Sequence, residues 1–254
     1  MNGRISRFPA LLRRHDVAFE VLQTRQQVEE ARANLEKRGV SCAGIELSRR
    51  TLWQRIRGAP PSTLGDLRKS WDVLRTAEFI EQHHPKAARV LDIGAYNSEM
   101  LCVLHRLGFE RLTGIDLNAA IRQMPYRESI RWEVGDFLRT PFPDRAFDVI
   151  TSISVIEHGF DAPALLAEMS RLLDPGGSFV ASFDYWPDKI DTSDTKFFGM
   201  DWLIFSREEV QTFIREASDF GFVSEGALDM RANERPVRCA DREYTFAWLV
   251  LKKR

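Results

Sequence analysis

The stretch Arg89-Val90-Leu91-Asp92-Ile93-Gly94-Ala95-Tyr96-Asn97-Ser98 decides the fold of this chain. A short apolar run ends in an acid, then come a glycine and small or polar residues, and Met100, Leu101, Val103, Leu104 and Leu107 follow at helical spacing. That pattern reads as a buried strand, a tight turn and a helix. Ligands of open parallel sheets bind outside the carboxyl ends of the strands, so this turn is the first candidate for a site. Downstream, Leu112-Thr113-Gly114-Ile115-Asp116 is a second short strand ending in an acid. A glycine turn with an acid on the next strand is the geometry of a nucleoside-binding half-fold. The acid accepts from a ribose, and the glycine lets backbone approach the ligand closely.

Further strands are expected at Ile130–Val134, Phe147–Ser152 and Ser178–Phe183, with a last β-rich run from Tyr244 to Leu251. Between them, Ala162–Leu173 reads as an amphipathic helix, and Ser206 N-caps a helix that starts at Arg207. Strands alternating with helices give an α/β domain with a mostly parallel sheet. Upstream, Asp66–His84 reads as a helix, with Leu67, Trp71, Leu74, Phe79 and Ile80 on its apolar side. Val17 to about Arg38 has no Gly or Pro and also reads as a helix, in which Val21, Val28 and Leu35 repeat every seven residues. The expected division is therefore a helical N-terminal appendage or lid over residues 1–65 and a main domain over 66–254. The heptad stripe is read as a face packed on the main domain, with a homodimer through this helix as the alternative.

A chain of 254 residues, 44% apolar and 29% charged, is long enough to bury a sizeable core. Its formal net charge of -1 offers no global field for nucleic acid or an anionic membrane, and no apolar run reaches the length of a membrane span. Cys42, Cys102 and Cys239 are odd in number and widely spaced, which disfavours a disulfide framework and a zinc site, so no metal is expected. A reducing cytoplasm is the simplest location. Arg4, Arg7, Arg13 and Arg14 precede any acid, and the segment reads as a basic terminus rather than a targeting peptide.

From about Ala88 to Lys252 these landmarks resemble the class I S-adenosylmethionine-dependent methyltransferases. Val90-Leu-Asp-Ile-Gly94 looks like the family's first motif, Gly114-Ile-Asp116 like its ribose acid and Gly135-Asp136-Phe137 like its adenine contact. Phe147-Asp-Val-Ile150 with Ser154-Val-Ile-Glu-His158 resembles the fourth strand and its exit, and Leu172-Leu-Asp-Pro-Gly-Gly177 the turn into the fifth. Each motif alone is weak; five in order at fitting intervals are specific. The resemblance implies a Rossmann-like, seven-stranded, mostly parallel sheet with helices on both faces. It also implies S-adenosyl-L-methionine as methyl donor, held by Asp92, Gly94, Tyr96, Asp116, Leu117, Asp136, Phe137 and Ser154. The family usually has further glycines where Tyr96 and Ser98 stand, which motivates a second reading as a non-catalytic S-adenosylmethionine-binding or scaffold protein.

For a hydroxyl acceptor the protein must align nucleophile and methyl and remove a proton. His158, after the fourth strand, and Asp184, after the fifth, are the expected bases. The long stretch from Asp184 to Phe205 leaves the ligand edge dense in aromatics and charges. Tyr185, Trp186 and Trp202 are expected to stack on an acceptor that Lys189 and Asp191 orient. This stretch also resembles stand-alone methyltransferases associated with glycan or polysaccharide biosynthesis. The expected function is methyl transfer to a small-molecule or glycan acceptor, at oxygen. A nicotinamide-dependent oxidoreductase shares the sheet and the ribose acid, but Gly94 is followed by Ala95, Tyr96, Asn97, Ser98 and Glu99 rather than by a phosphate-cradling glycine pattern.

Overall fold

The computed structural model describes residues 17–47 and 63–254, so the basic first segment and most of the arginine-rich stretch before Ser62 lie outside the described residues. The first half of the described chain comprises β1 (Val17–Val21), α1 (Arg25–Lys37), a 3-10 turn (Leu67–Lys69), α2 (Ser70–His83), β2 (Arg89–Ile93), α3 (Met100–Arg106), β3 (Arg111–Asp116), a second 3-10 turn (Ala119–Gln123) and β4 (Ile130–Val134). The second half comprises β5 (Phe147–Ile153), α4 (Ala162–Leu172), β6 (Leu173–Tyr185), β7 (Lys196–Phe197), β8 (Met200–Asp201), α5 (Arg207–Asp219), β9 (Phe222–Val223), β10 (Ala227–Leu228), β11 (Val237–Cys239) and β12 (Arg242–Lys253).

The main sheet has ten strands where seven are expected, in the order β10-β1-β12-β6-β5-β2-β3-β4, with β9 and β11 also paired to β12. From β6 through β4 the neighbours are parallel, and β12 runs antiparallel to β6. The order reverses at β2, which lies between β3 and β5, so the crevice outside the carboxyl ends of these strands is the switch point where ligands bind.

One expectation fails at the start of the described chain. Val17–Val21 is a strand, not the first turn and a half of a helix; Phe19 pairs with Leu249 and Val21 with Ala247. The five residues are β-branched or aromatic at three positions, and the unpaired edge of β12 decides their state over any local preference. The helix begins only at Arg25, where Thr24 and Gln27 form a reciprocal capping box. The heptad stripe is split within the chain: Leu35 is buried and Val28 packs with it on the core that includes Trp71 and Leu74 of α2, while Val21 is buried in the opposite layer.

Side-chain alternation along the strands sorts the core into two layers. Val90, Val149, Val180, Phe246 and Trp248 face α1, α2 and α3. Leu91, Ile150, Phe179, Phe183 and Leu249 face α4 and α5, where Leu166, Met169 and Phe213 are fully buried. The same parity places the polar residues Asp92, Thr151, Ser182 and Asp184 on the α2 side, and there the candidate site takes shape.

Candidate active site

At the tip of β2, Asp92 is buried and its Oδ1 accepts from Thr151 Oγ1 at 2.7 Å, while Oδ2 has no partner. Burial raises its carboxyl to about 7 against the help of Thr151. Gly94 follows with φ +62°, and a Cβ there would lie 2.5 Å from Val155. Both the left-handed backbone and the contact with the exit of β5 demand glycine. Asp116 ties this turn to the next strand: its Oδ2 accepts from the Tyr96 backbone N–H at 3.0 Å and its Oδ1 from Asn118 N–H at 2.7 Å. The Tyr96 ring is half-buried against the α2-side core. Beside Asp116, Leu117 is exposed.

The tip of β4 is tied back in turn, since Gly135 N–H donates to the Asp116 carbonyl at 2.9 Å. Asp136 is exposed, with Oδ1 accepting from Leu138 N–H at 2.8 Å, and Phe137 is half-buried against the opposite core layer. At the exit of β5, Ser154 takes φ +56°, donates its N–H to the Ser182 carbonyl and its hydroxyl to Glu157 Oε1. The eight residues expected at the donor site thus share the carboxyl edge of β2, β3, β4 and β5.

The second half of the site lies over β6 and β12. Asp184, buried, accepts from Trp202 Nε1 at 2.9 Å through Oδ2, and its Oδ1 lies 3.6 Å from Lys69 Nζ. The Lys69 ammonium also sits 3.3 Å above the Phe246 ring. His158 packs edge-on against Phe197 and Phe198 of the β7–β8 hairpin, with ring centroids 5.8 and 5.7 Å away. Its Nδ1 is buried without a partner, and burial holds its pKa below the usual histidine value, against the pull of the Asp184 charge.

Two groups here escape the sequence reading. Glu157 is fully buried with Oε2 unpartnered, and burial, helped by the Asp184 charge, pushes it up to about 8. Asp72, on α2, is fully buried with neither oxygen hydrogen-bonded, and burial pushes it up to about 7. The signal for Asp72 is a carboxylate inside the run Trp71-Asp72-Val73-Leu74; for Glu157 it is the position beside His158.

Not every expected acceptor residue reaches this place. Trp202 does, through Asp184, and Trp186 lies on the same face with its ring under the Arg235 guanidinium at 4.2 Å. Tyr185 does not: strand β6 runs two residues further than expected, so parity turns the ring into the α4–α5 layer, where its hydroxyl donates to the Met230 carbonyl at 2.8 Å. Lys189 pairs with Glu209 at 2.8 Å on the surface, and Asp191 caps Ser193 N–H on the exposed loop. His83, His84 and His105 lie on or beside α2 and α3, away from these groups; His84 Nε2 is 2.9 Å from Ser178 Oγ.

Among the described residues no group of three or more His, Cys, Asp or Glu has the placement to hold a metal ion, and no helix is long and apolar enough to cross a membrane.

A buried acid, a glycine turn and a capped second acid at successive strand tips agree with the comparison to known families. Residues 91–181 match the methyltransferase domain family. The chain is 34% identical over 118 residues to phosphoethanolamine N-methyltransferase 1 of Arabidopsis thaliana, covering 43% of this chain and 24% of that protein. It is 34% identical over 119 residues to demethylmenaquinone methyltransferase of Deinococcus radiodurans, covering 44% and 48%. The chain therefore spans about half, or less, of the length of these relatives. Among solved structures it resembles geranyl diphosphate C-methyltransferase from Streptomyces coelicolor A3(2), with a TM-score of 0.57 and 18% identity over 90% of this chain and 98% of that one. A putative sarcosine dimethylglycine methyltransferase from Galdieria sulphuraria gives a TM-score of 0.52 and 17% identity over 89% and 98%. These two likenesses are of fold, a Rossmann-like sheet shared with methyltransferases.

Proposed function

We propose that this chain is an enzyme that transfers a methyl group from S-adenosyl-L-methionine to a small-molecule acceptor. The observation that carries the reading is Asp116, whose carboxylate spans the Gly94 turn and the end of β3. Each oxygen takes one backbone N–H, from Tyr96 and Asn118, and keeps a second lone pair for a ribose hydroxyl. The surrounding residues suit the donor. Asp92 has an oxygen free for an ammonium group, Asp136 can accept from an adenine amine, and Leu117 and Phe137 offer apolar surface to a flat ring. The glycines that let backbone cradle a pyrophosphate are absent after Gly94, where Ala95, Tyr96, Asn97, Ser98 and Glu99 follow. When bound, the donor supplies a methyl group already activated on a sulfonium, so the protein's main task is alignment.

The acceptor is assigned to the neighbourhood of His158, Asp184 and Trp202, beyond the exits of β5 and β6. Oxygen as the methylated atom came from the expected bases, and relatives named for N- and C-methylation do not tie the transfer to it. The sugar-stacking role loses Tyr185 and Lys189 to the core and the surface, so a small molecule is the better-supported acceptor class. The segment before α2 acts as a cover for the donor turn: Gly65 N–H donates to the Asn97 carbonyl at 3.0 Å, and Arg32 of α1 pairs with the buried Glu99.

Calorimetric titration with S-adenosylmethionine and S-adenosylhomocysteine tests the reading. Both are expected to bind, and Asp116→Ala to weaken each by about tenfold or more, the scale of two lost charge-assisted bonds. Absence of heat with both ligands would overturn it.

A further inference from the structure

We propose that the buried carboxylates under the start of α2 seat a protonated amine, so that the atom methylated is nitrogen and Glu157 Oε2 takes the proton that nitrogen must lose. This rests on the methyl-transfer reading above and names its acceptor.

Three elements contribute carboxylates to one buried place: Asp72 from α2, Glu157 from the loop after β5, and Asp184 from the end of β6. The ammonium of Lys69 faces all three, and it is already engaged by Asp184 at 3.6 Å and by the Phe246 ring at 3.3 Å. Arg75, one turn further along α2, is committed to Glu20 at 2.6 Å and to Glu78 at 3.4 Å. Asp72 Oδ1, Asp72 Oδ2 and Glu157 Oε2 are therefore buried acceptors with nothing to accept from. Ser182 Oγ, fully buried on the same strand face as Asp184, lies close enough to Asp72 to counter part of the upward push of burial on its carboxyl, without a hydrogen bond of good geometry. Native interiors satisfy such groups, and a cluster of them marks the place of a missing partner. A cation is the partner that would let these carboxylates ionise in a dry site; without one, burial keeps them protonated. Since the three do not form a metal-ligand set, the cation is organic. Aromatic surface lies beside Asp184: Trp202, its hydrogen-bond partner, packs edge-on against Tyr244 and Phe197 with ring centroids 5.7 and 5.1 Å away. The donor turn is close, because Val155, two residues before Glu157, is the side chain pressed against Gly94.

The chemistry balances. The ammonium gives one proton to the Glu157 carboxylate and becomes a neutral amine. Its freed lone pair forms the bond to the methyl carbon as the carbon–sulfur bond breaks, the pair staying on sulfur. The products are S-adenosylhomocysteine, an N-methylammonium and a protonated Glu157, which returns its proton to solvent when the product leaves. Burial and the Asp184 charge raise the Glu157 carboxyl, which makes it a competent proton acceptor near and above neutrality.

The test is calorimetry on the full chain with S-adenosylhomocysteine bound, titrating benzylamine against benzyl alcohol and ethanolamine against ethylene glycol. The amine of at least one pair is expected to bind tenfold or more tightly than its alcohol. Proton release on binding, read from buffers of different ionisation enthalpy, is expected to accompany it. Glu157→Gln and Asp72→Asn, which keep shape and remove charge, are each expected to cut that preference at least fivefold while leaving S-adenosylhomocysteine affinity within twofold and the circular dichroism unchanged. Alcohols binding as well as amines, or an undiminished preference in both variants, would overturn the proposal. No heat with S-adenosylhomocysteine itself would instead sink the methyl-transfer reading.

Discussion

The proposed donor half of the carboxyl edge and the proposed acceptor half use the same residue type in opposite ways. Over β3 and β4 the carboxylates of Asp116 and Asp136 stay near solvent and accept from backbone N–H groups at most four chain positions from a strand end or held across one turn. Over β6 and β12 the carboxylates of Asp72, Glu157 and Asp184 are buried, come from separate elements and keep unpartnered oxygens. Preorganised turns recognise a constant ligand with groups already satisfied. An interior cluster left short of partners draws its ligand through the penalty of being empty.

The largest effect that separates the halves is structural support for the donor turn. Arg32 is half-buried against the buried Glu99 at the start of α3 and also donates to Ser41 and Ser70, while Glu99 accepts from Cys42 N–H. Arg32→Ala leaves the buried Glu99 carboxylate without its charged partner and is expected to cost about 3–5 kcal/mol in urea unfolding. A loss under about 1 kcal/mol would mean that α1 does not brace the donor half. Next comes Gly94→Ala, which adds a side chain at positive φ against Val155. Donor affinity is expected to drop by more than about tenfold, with a stability loss of about 1–3 kcal/mol; an unchanged affinity would show the turn free to shift.

Smaller, but decisive for the contrast, is the pH dependence of stability. Asp72 and Asp92 stand at about 7 and Glu157 at about 8 in the folded chain, all above ordinary carboxylates. The fold therefore holds protons that the unfolded chain has released. The stability this gives is complete below about pH 4 and is lost as pH rises through 7 and 8. The melting temperature is expected to fall by several degrees between about pH 5 and pH 9. An Asp72→Asn, Glu157→Gln double variant should flatten that fall more than Asp92→Asn does. A melting temperature that rises over this range would contradict the buried, protonated acceptor half. Least of all, Asp136→Ala is expected to weaken donor binding about threefold in titration, as suits an exposed group with one backbone partner.

The same contrast explains what could be read beforehand. Asp92, Gly94, Asp116 and Asp136 announce themselves because each lies at the end of a short apolar run. The parallel strands and α4 follow from the same local pattern. The acceptor half is assembled across the sheet, so Asp72 and Lys69 carry no local sign of meeting Asp184. The apolar run of β6 ends at Phe183 in the sequence, which leaves Tyr185 in the following stretch; the strand carries its alternation two residues further and sends the ring to the core beside Phe19 and Phe183. Val17–Val21 gave way to tertiary pairing, and only the capping box at Thr24 marks where the helix starts.

That first strand has a practical consequence for anyone trimming the protein. By pairing Phe19, Glu20 and Val21 with Leu249, Trp248 and Ala247, it closes one flank of the long C-terminal strand. A chain cut back to Asp66 would present that flank bare, with its ladder of amide and carbonyl groups ready to zip onto a second molecule. Insoluble aggregates, rather than a compact catalytic core, are what such a truncation should yield.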